Sequence, residues 1–180
     1  MSQPVEQIEP APSSRTSAER LRHTLRFHSA GVSVITFESD SGPVGFTATS
    51  FASLSLEPPL ISFNIANSSS SVEALRHADS IVVHLLRRHQ VDIAQRFSRT
   101  AIERFADESL WTRLSTGEPL LKGATCWIRA TIRETMKFGD HMLVVADVAD
   151  VHLDEASSTT VGPLLYHEGA YHCSVPLESR

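Results

Sequence analysis

The sequence predicts a mainly β fold, a closed or nearly closed antiparallel barrel with a few flanking helices. Three observations carry this reading. Seven or so apolar, β-branched runs follow one another closely along the chain. Short polar or glycine-containing turns join most of them as hairpins. The strands do not alternate with helices as a doubly wound sheet requires, and no G-x-G-x-x-G motif occurs.

Residues 1–17 carry Pro4, Pro10 and Pro12 among Ser and Gln, with no basic stretch followed by an apolar one, and read as a disordered tail without a secretory signal. A helix is expected over 18–28, where Leu21, Leu25 and His28 recur at helical spacing. Ser17 is its expected N-cap, with Arg20 rather than Glu at the capping-box position. Residues 31–37 form a β-branched strand, 38–42 a hairpin loop and 44–50 the returning strand. In Leu54-Ser-Leu-Glu-Pro-Pro59 the two prolines exclude a central strand and hold the chain extended before a strand over 60–65. A polar turn over 67–71 opens a short helix over 72–77, and 81–86 is a further apolar strand. Residues 90–105 read as one or two helices with Val91, Ile93, Ala94 and Phe97 along one face, and 111–123 as irregular. Two long strands, 126–136 and 142–153, are joined by Lys137-Phe-Gly-Asp-His141; a last hairpin over 164–172 turns at Glu168-Gly169. No internal repeat and no boundary divides 18–180, so a single domain is expected.

Composition removes several classes of function. A net charge of −5 without a basic stripe argues against a general nucleic-acid binder. No apolar run approaches the roughly 20 residues of a membrane-spanning helix. Arginines gather locally (Arg87 and Arg88; Arg96, Arg99 and Arg104), which reads as a solvated helix face or as a site for a small anion. Cys126 and Cys173 form no C-x-x-C pattern, so neither a disulfide framework nor a zinc ribbon is expected, and a cytoplasmic setting fits. The nine histidines are scattered without H-E-x-x-H, and no metal site is expected. No G-x-S-x-G elbow supports a serine hydrolase.

Three segments carry chemistry. Pro43-Val-Gly-Phe-Thr-Ala-Thr-Ser-Phe51 places hydroxyls and small residues at a strand end, where backbone amides can approach a planar ligand. Taken alone it also reads as a strand with one polar face. Asn67-Ser-Ser-Ser-Ser71 precedes a helix and suits either a phosphate or ordinary N-capping. Gly139-Asp140-His141 joins two long strands, and alone reads as a β-turn in which Gly and Asp serve only geometry.

In this order, with Gly31-Val-Ser-Val-Ile-Thr36, Ser53-Leu-Ser-Leu-Glu-Pro-Pro59, Pro163-Leu-Leu-Tyr166 and Gly169-Ala-Tyr171, the segments resemble the flavin reductase domain of two-component flavin-dependent monooxygenases. The resemblance spans about residues 21–173. It implies an FMN-binding split β-barrel that forms a homodimer, uses NADH or NADPH to reduce FMN or FAD, and supplies reduced flavin to a separate monooxygenase. Carried over residue by residue, Gly45, Phe46, Thr47, Ala48, Thr49 and Ser50 would line the flavin ring and ribityl chain, and Phe63, Asn64 and Ile65 would lie along it. Ser69 and Ser70 would hold the phosphate, with Arg96 and Phe97 near the phosphate or adenylate. His141 would receive the nicotinamide as the catalytic residue, beside Tyr166 and His167. Thr49 stands where Asn is common, Ser70 where Arg is frequent, and His84 where the following strand commonly has Asn.

Such chemistry asks little of side chains, because the protein chiefly stacks two rings and offers donors to developing negative charge. This accounts for the lack of a nucleophile or carboxylate pair. The rival is a split barrel that holds flavin or haem as a carrier or sensor without turnover. An oxidase of pyridoxamine phosphate would want more basic phosphate ligands than residues 67–71 offer.

Overall fold

A computed structural model of the chain describes residues 15–154 and 161–177. Of the expected tail over 1–17, residues 1–14 lie outside this range. Helix α1 spans Ser17–Leu25. Its N-cap is Thr16, one residue before the expected Ser17. The Thr16 hydroxyl accepts from the Glu19 N–H at 3.2 Å, and the Glu19 carboxylate accepts from the Thr16 N–H at 2.8 Å. Shifting the frame by one residue turns a partial signal into the full T-x-x-E capping box. The helix closes at Arg26, short of the expected position 28, and buries none of its side chains.

Strands β1 (Ala30–Gly31), β2 (Ser33–Ser39) and β3 (Gly42–Ala48) follow, the last two joined by a turn at Asp40-Ser41 with Gly42 at φ +109°. β2 thus runs two residues into the expected loop. β4 (Ala52–Leu56) and β5 (Pro59–Ala66) are joined by Glu57-Pro58. α2 (Val72–Arg76) and β6 (Ser80–Leu85) come next, then a 3-10 turn (Arg88–Gln90), α3 (Val91–Phe97) and α4 (Ala101–Arg104). The stretch expected to be irregular holds a small hairpin, β7 (Trp111–Arg113) with β8 (Pro119–Leu121). The long pair is β9 (Cys126–Phe138) and β10 (His141–Leu153). β11 (Leu164–His167) and β12 (Ala170–Cys173) close the chain around Glu168-Gly169, both at positive φ, as a type I′ hairpin turn requires.

The class is therefore mainly β, as expected. Seven strands form one antiparallel sheet in the order β3-β2-β6-β9-β10-β5-β4, and β1, β11 and β12 form a second. β4, with its proline-bearing exit, sits at the edge of the large sheet, the place open to residues that cannot donate to a ladder. No backbone ladder closes the ring among the described residues. Where β3 comes alongside β5, a hydroxyl bridges instead: Ser50 Oγ accepts from Asn64 N–H at 2.9 Å and donates to Asn64 C=O at 3.0 Å.

β2 is buried on both faces because it separates two cores. Ile35 and Phe37 point into the sheet's interior with Phe63, Leu75, Ile81 and Val144. Val32 and Val34 point outward beneath α3 and β8, against Ala94, Phe97 and Leu121. Each large side chain so buried contributes roughly 1.5–3 kcal/mol. The polar atoms caught here are paired: Ser33 Oγ donates to Ala48 O and Thr36 Oγ1 to Pro119 O.

Candidate functional site

At the end of β3 the chain leaves one ladder and enters the next at β4, so residues 49–51 belong to neither. Their backbone is free to face a ligand. The side chains of this bend, with those of β5 and β10, enclose a cavity of about 370 Å³ lined by Thr47, Ala48, Thr49, Ser50, Asn64 and His141. A neighbouring cavity of about 380 Å³ shares Thr47 and Thr49 and continues to Gln95, Ser98, Tyr166 and Tyr171. Thr47 Oγ1 donates to Ala94 O at 2.7 Å, fixing the β3 end to α3.

His141 opens β10, opposite Phe138 on β9 and Ala66 on β5. Its Nδ1 lies 2.8 Å from Asp140 Oδ1. The hydrogen bond with His141, followed by the charge of that ring, holds the Asp140 carboxyl below the usual carboxylate range. The ionised Asp140 therefore accepts from Nδ1–H, which leaves Nε2 as the ring nitrogen for a ligand. The turn is pinned from outside: Asn67 N–H donates to Asp140 O at 2.8 Å and Asn67 Nδ2 to Gly139 O at 3.3 Å. Gly139 takes φ +58°, which suits a glycine.

The structure thus gathers Thr47, Ala48, Thr49, Ser50, Asn64 and His141 around one cavity and Tyr166 around the next. The remaining expected residues lie elsewhere. Gly45, Phe46, Phe63 and Ile65 are buried and offer backbone rather than side chains. Phe97 is 2% exposed and lines neither cavity; its ring underlies Gly45, where an added Cβ would meet Phe97 Cε1 at 2.8 Å. Arg96, in the last turn of α3, lines neither cavity. His167 Nδ1 lies 3.1 Å from Ser29 Oγ, outside both.

Ser69 and Ser70 stand in the turn before α2, where Ser69 Oγ accepts from Ser71 N–H at 3.3 Å. The cation at this turn is Arg104, on α4. Its Nη1 donates to Ser71 Oγ at 2.9 Å and to Gly45 O at 2.7 Å, while Nε and Nη2 hold Arg99 O. Burial pulls the Arg104 guanidinium below its usual range. In sequence Arg104 is one of a cluster, and nothing singles it out. The break after α3 that turns α4 back onto β3 is a tertiary event. A cavity of about 550 Å³ elsewhere is lined by Glu38, Asp40, Glu73 and Asp79, among others, and repels an anionic ligand.

Comparisons with known proteins bear on the family and the overall fold. The model of the family described as flavin reductase like domain matches residues 25–173. An NADH:FMN oxidoreductase of Rhodococcus qingshengii is 56% identical over 156 residues, 87% of this chain and 81% of that protein. The reductase subunit of a flavin-dependent monooxygenase of Mycobacterium tuberculosis is 33% identical over 159 residues, 88% of this chain and 83% of that protein. The solved structure of a flavin reductase domain protein from Arthrobacter sp. FB24 superposes with a TM-score of 0.83 at 38% identity, covering 90% of this chain and 98% of that one.

Proposed function

The chain belongs to the flavin reductase family, and from that premise we propose that it is an NADH-dependent flavin reductase acting on FMN, the reductase component for a separate monooxygenase. One observation carries the reading: residues from β3, β5 and β10, distant in sequence, converge on the cavity that His141 lines.

The donor set fits a flavin. Backbone amides at 49–51 suit the oxygens of a polar ring edge, Ala48 leaves room for a flat ring, and the Thr47 and Thr49 hydroxyls suit a polyol chain. When bound, flavin supplies the ring that accepts hydride from the nicotinamide. The chain's own residues hold and orient. His141 Nε2, its ring fixed through Nδ1 by Asp140, is placed to grip the nicotinamide amide and need not donate a proton to the hydride itself. Ser69, Ser70 and Arg104 flank the position proposed for the flavin phosphate. Phe97 supports that wall from behind rather than touching the ligand.

Two further parts of the reading concern setting. No helix among the described residues is long and apolar enough to cross a membrane; Cys126 and Cys173 are both free thiols, which suits a reducing cytoplasm. The active form is a homodimer.

The test is steady-state oxidation of NADH with added FMN, on wild type and His141→Ala. The wild type should consume NADH continuously. The variant should lose roughly 5- to 150-fold in kcat/KM for NADH, with FMN affinity and melting temperature near wild type. Tight flavin binding without NADH turnover would identify a carrier instead, and normal kinetics in the variant would remove His141 from the site.

A further inference from the structure

A groove runs beside the candidate site along one face of α3. Val91, Gln95 and Ser98 fall at i, i+4 and i+7, one side of the helix, and face the β11–β12 hairpin. Gln95 and Ser98 line the cavity that shares Thr47 and Thr49 with the His141 cavity. Val91 lines a third cavity, of about 610 Å³, whose other walls include Arg88, His89 and His172. Tyr171 lines both the second cavity and the third, so the two are neighbours along this face. The Tyr171 ring stands edge to face with Tyr166 at 5.3 Å.

The electrostatics of the far end differ from those of the acidic cavity between β2 and α2. The chain carries −5 overall, and the cavity lined by Glu38, Asp40, Glu73 and Asp79 is acidic. The third cavity has no carboxylate in its lining. The Arg88 backbone is held by its N–H donating to Gly162 O at 3.0 Å. Its exposed guanidinium makes no hydrogen bond or ion pair among the described residues. A fixed backbone with an uncommitted guanidinium at the end of a groove suits a phosphate-bearing ligand.

We propose that this third cavity takes the adenylate half of the nicotinamide dinucleotide, with Arg88 on its phosphates and Tyr171 between the two halves. The proposal rests on the flavin reductase reading. A flavin dinucleotide carries the same pyrophosphate-linked adenylate, but it would have to extend from the flavin phosphate. That phosphate is assigned to the turn before α2, whereas the groove enters past Tyr166 and Tyr171, on the nicotinamide side. Arg88 is therefore a specificity residue for dinucleotide over mononucleotide donors.

The test compares NADH with reduced nicotinamide mononucleotide, which lacks the adenylate, as donors to FMN on wild type, Arg88→Ala and Arg88→Lys. Arg88→Ala should lose roughly tenfold in kcat/KM for NADH, mostly through KM, and stay within about twofold for the mononucleotide. Arg88→Lys should recover part of the loss, and affinities for FMN and FAD should not move. Equal losses on both donors, no loss on NADH, or a loss confined to FAD affinity would overturn the proposal. Failure of the wild type to oxidise either donor would instead refute the flavin reductase reading.

Discussion

His84 ties two strands and the small hairpin together with one imidazole. It is wholly buried on β6, with Nδ1 3.1 Å from Val34 O and Nε2 accepting from Leu121 N–H at 3.1 Å. Both nitrogens are used by a neutral ring, one as donor and one as acceptor. Burial lowers its pKa from 6.5 to about 4, against the smaller opposing effect of the Val34 carbonyl. Between those values the unfolded chain binds a proton that the native state refuses. This contribution is therefore whole above about pH 6.5 and is lost as the pH falls toward about 4. Moving from about pH 7.5 to about pH 5 should cost roughly 2 kcal/mol of unfolding free energy, measured by urea titration. His84→Asn offers a donor and an acceptor without a titrating group, and should flatten that slope; an unchanged slope would assign the effect elsewhere. Gly45 makes a second prediction at this scale. An added Cβ would stand 2.8 Å from Phe97 Cε1 and 3.0 Å from Ile35 O, and the carbonyl cannot step aside. Gly45→Ala should cost about 1–3 kcal/mol by the same titration. A loss under about 0.5 kcal/mol would show that the β3 wall is softer than its packing implies.

Among the elements, the junction of β3 with β5 shows how a hydroxyl substitutes for a ladder. β4 pairs with β5 only over residues 59–62, so at Asn64 the side of β5 away from β10 has no strand partner. Ser50 Oγ fills that gap with its two hydrogen bonds. Ser50→Ala should cost on the order of 1 kcal/mol in stability, because water can reach the exposed Asn64 amide. Its larger effect should be on FMN affinity, since the bend over 49–51 loses its anchor; isothermal titration reads this directly, and unchanged affinity at reduced stability would make the bridge purely structural. Which parts of this architecture were legible in the sequence follows from range. β2, β6, β9 and β10 announce themselves by β-branched runs, and the edge position of β4 by its prolines. β7 and β8, three residues each, are too short to carry a period. The capping box at Thr16 was missed by one position. Around the site, 47–50, Asn64 and His141 stood out through an ordered resemblance spread over most of the chain. Arg104 and Gln95 did not, and Tyr171 figured only in a motif without a site role, because their proximity is set by how α3, α4 and the last hairpin pack on β2 and β3. Phe97 looked like a ligand contact for the converse reason: its place in the chain is near the site, but its ring faces the second core.

For the whole molecule, α1 poses a question that one chain does not answer. The helix has nine residues and no buried side chain, and Leu21, Leu25 and Phe27 are 59%, 55% and 58% exposed. Its capping box alone does not hold so short a helix, since helices shorter than roughly 12–15 residues are marginal in water without an apolar face packed on something. On the edge strand β4, Leu54 and Leu56 are also exposed, at 53% and 82%. Apolar surface of this kind on an otherwise well-packed chain marks an interface, and for identical chains a two-fold pair is the commonest solution. The homodimer proposed above would bury α1. Light scattering at micromolar concentration should therefore give twice the 19.8 kDa chain mass. The melting temperature should rise with protein concentration, because association stabilises only the folded form. Leu21→Glu with Leu25→Glu places two carboxylates on the face of α1 assigned to the interface, and should shift the mass toward the monomer. Neither side chain is buried within the chain, so the β strands should keep their far-ultraviolet circular dichroism. A dimer that survives both changes would move the interface to β4, where Leu54→Glu with Leu56→Glu should then dissociate it. A monomeric mass for the wild type would overturn the dimer altogether and leave the exposed face of α1 for the monooxygenase.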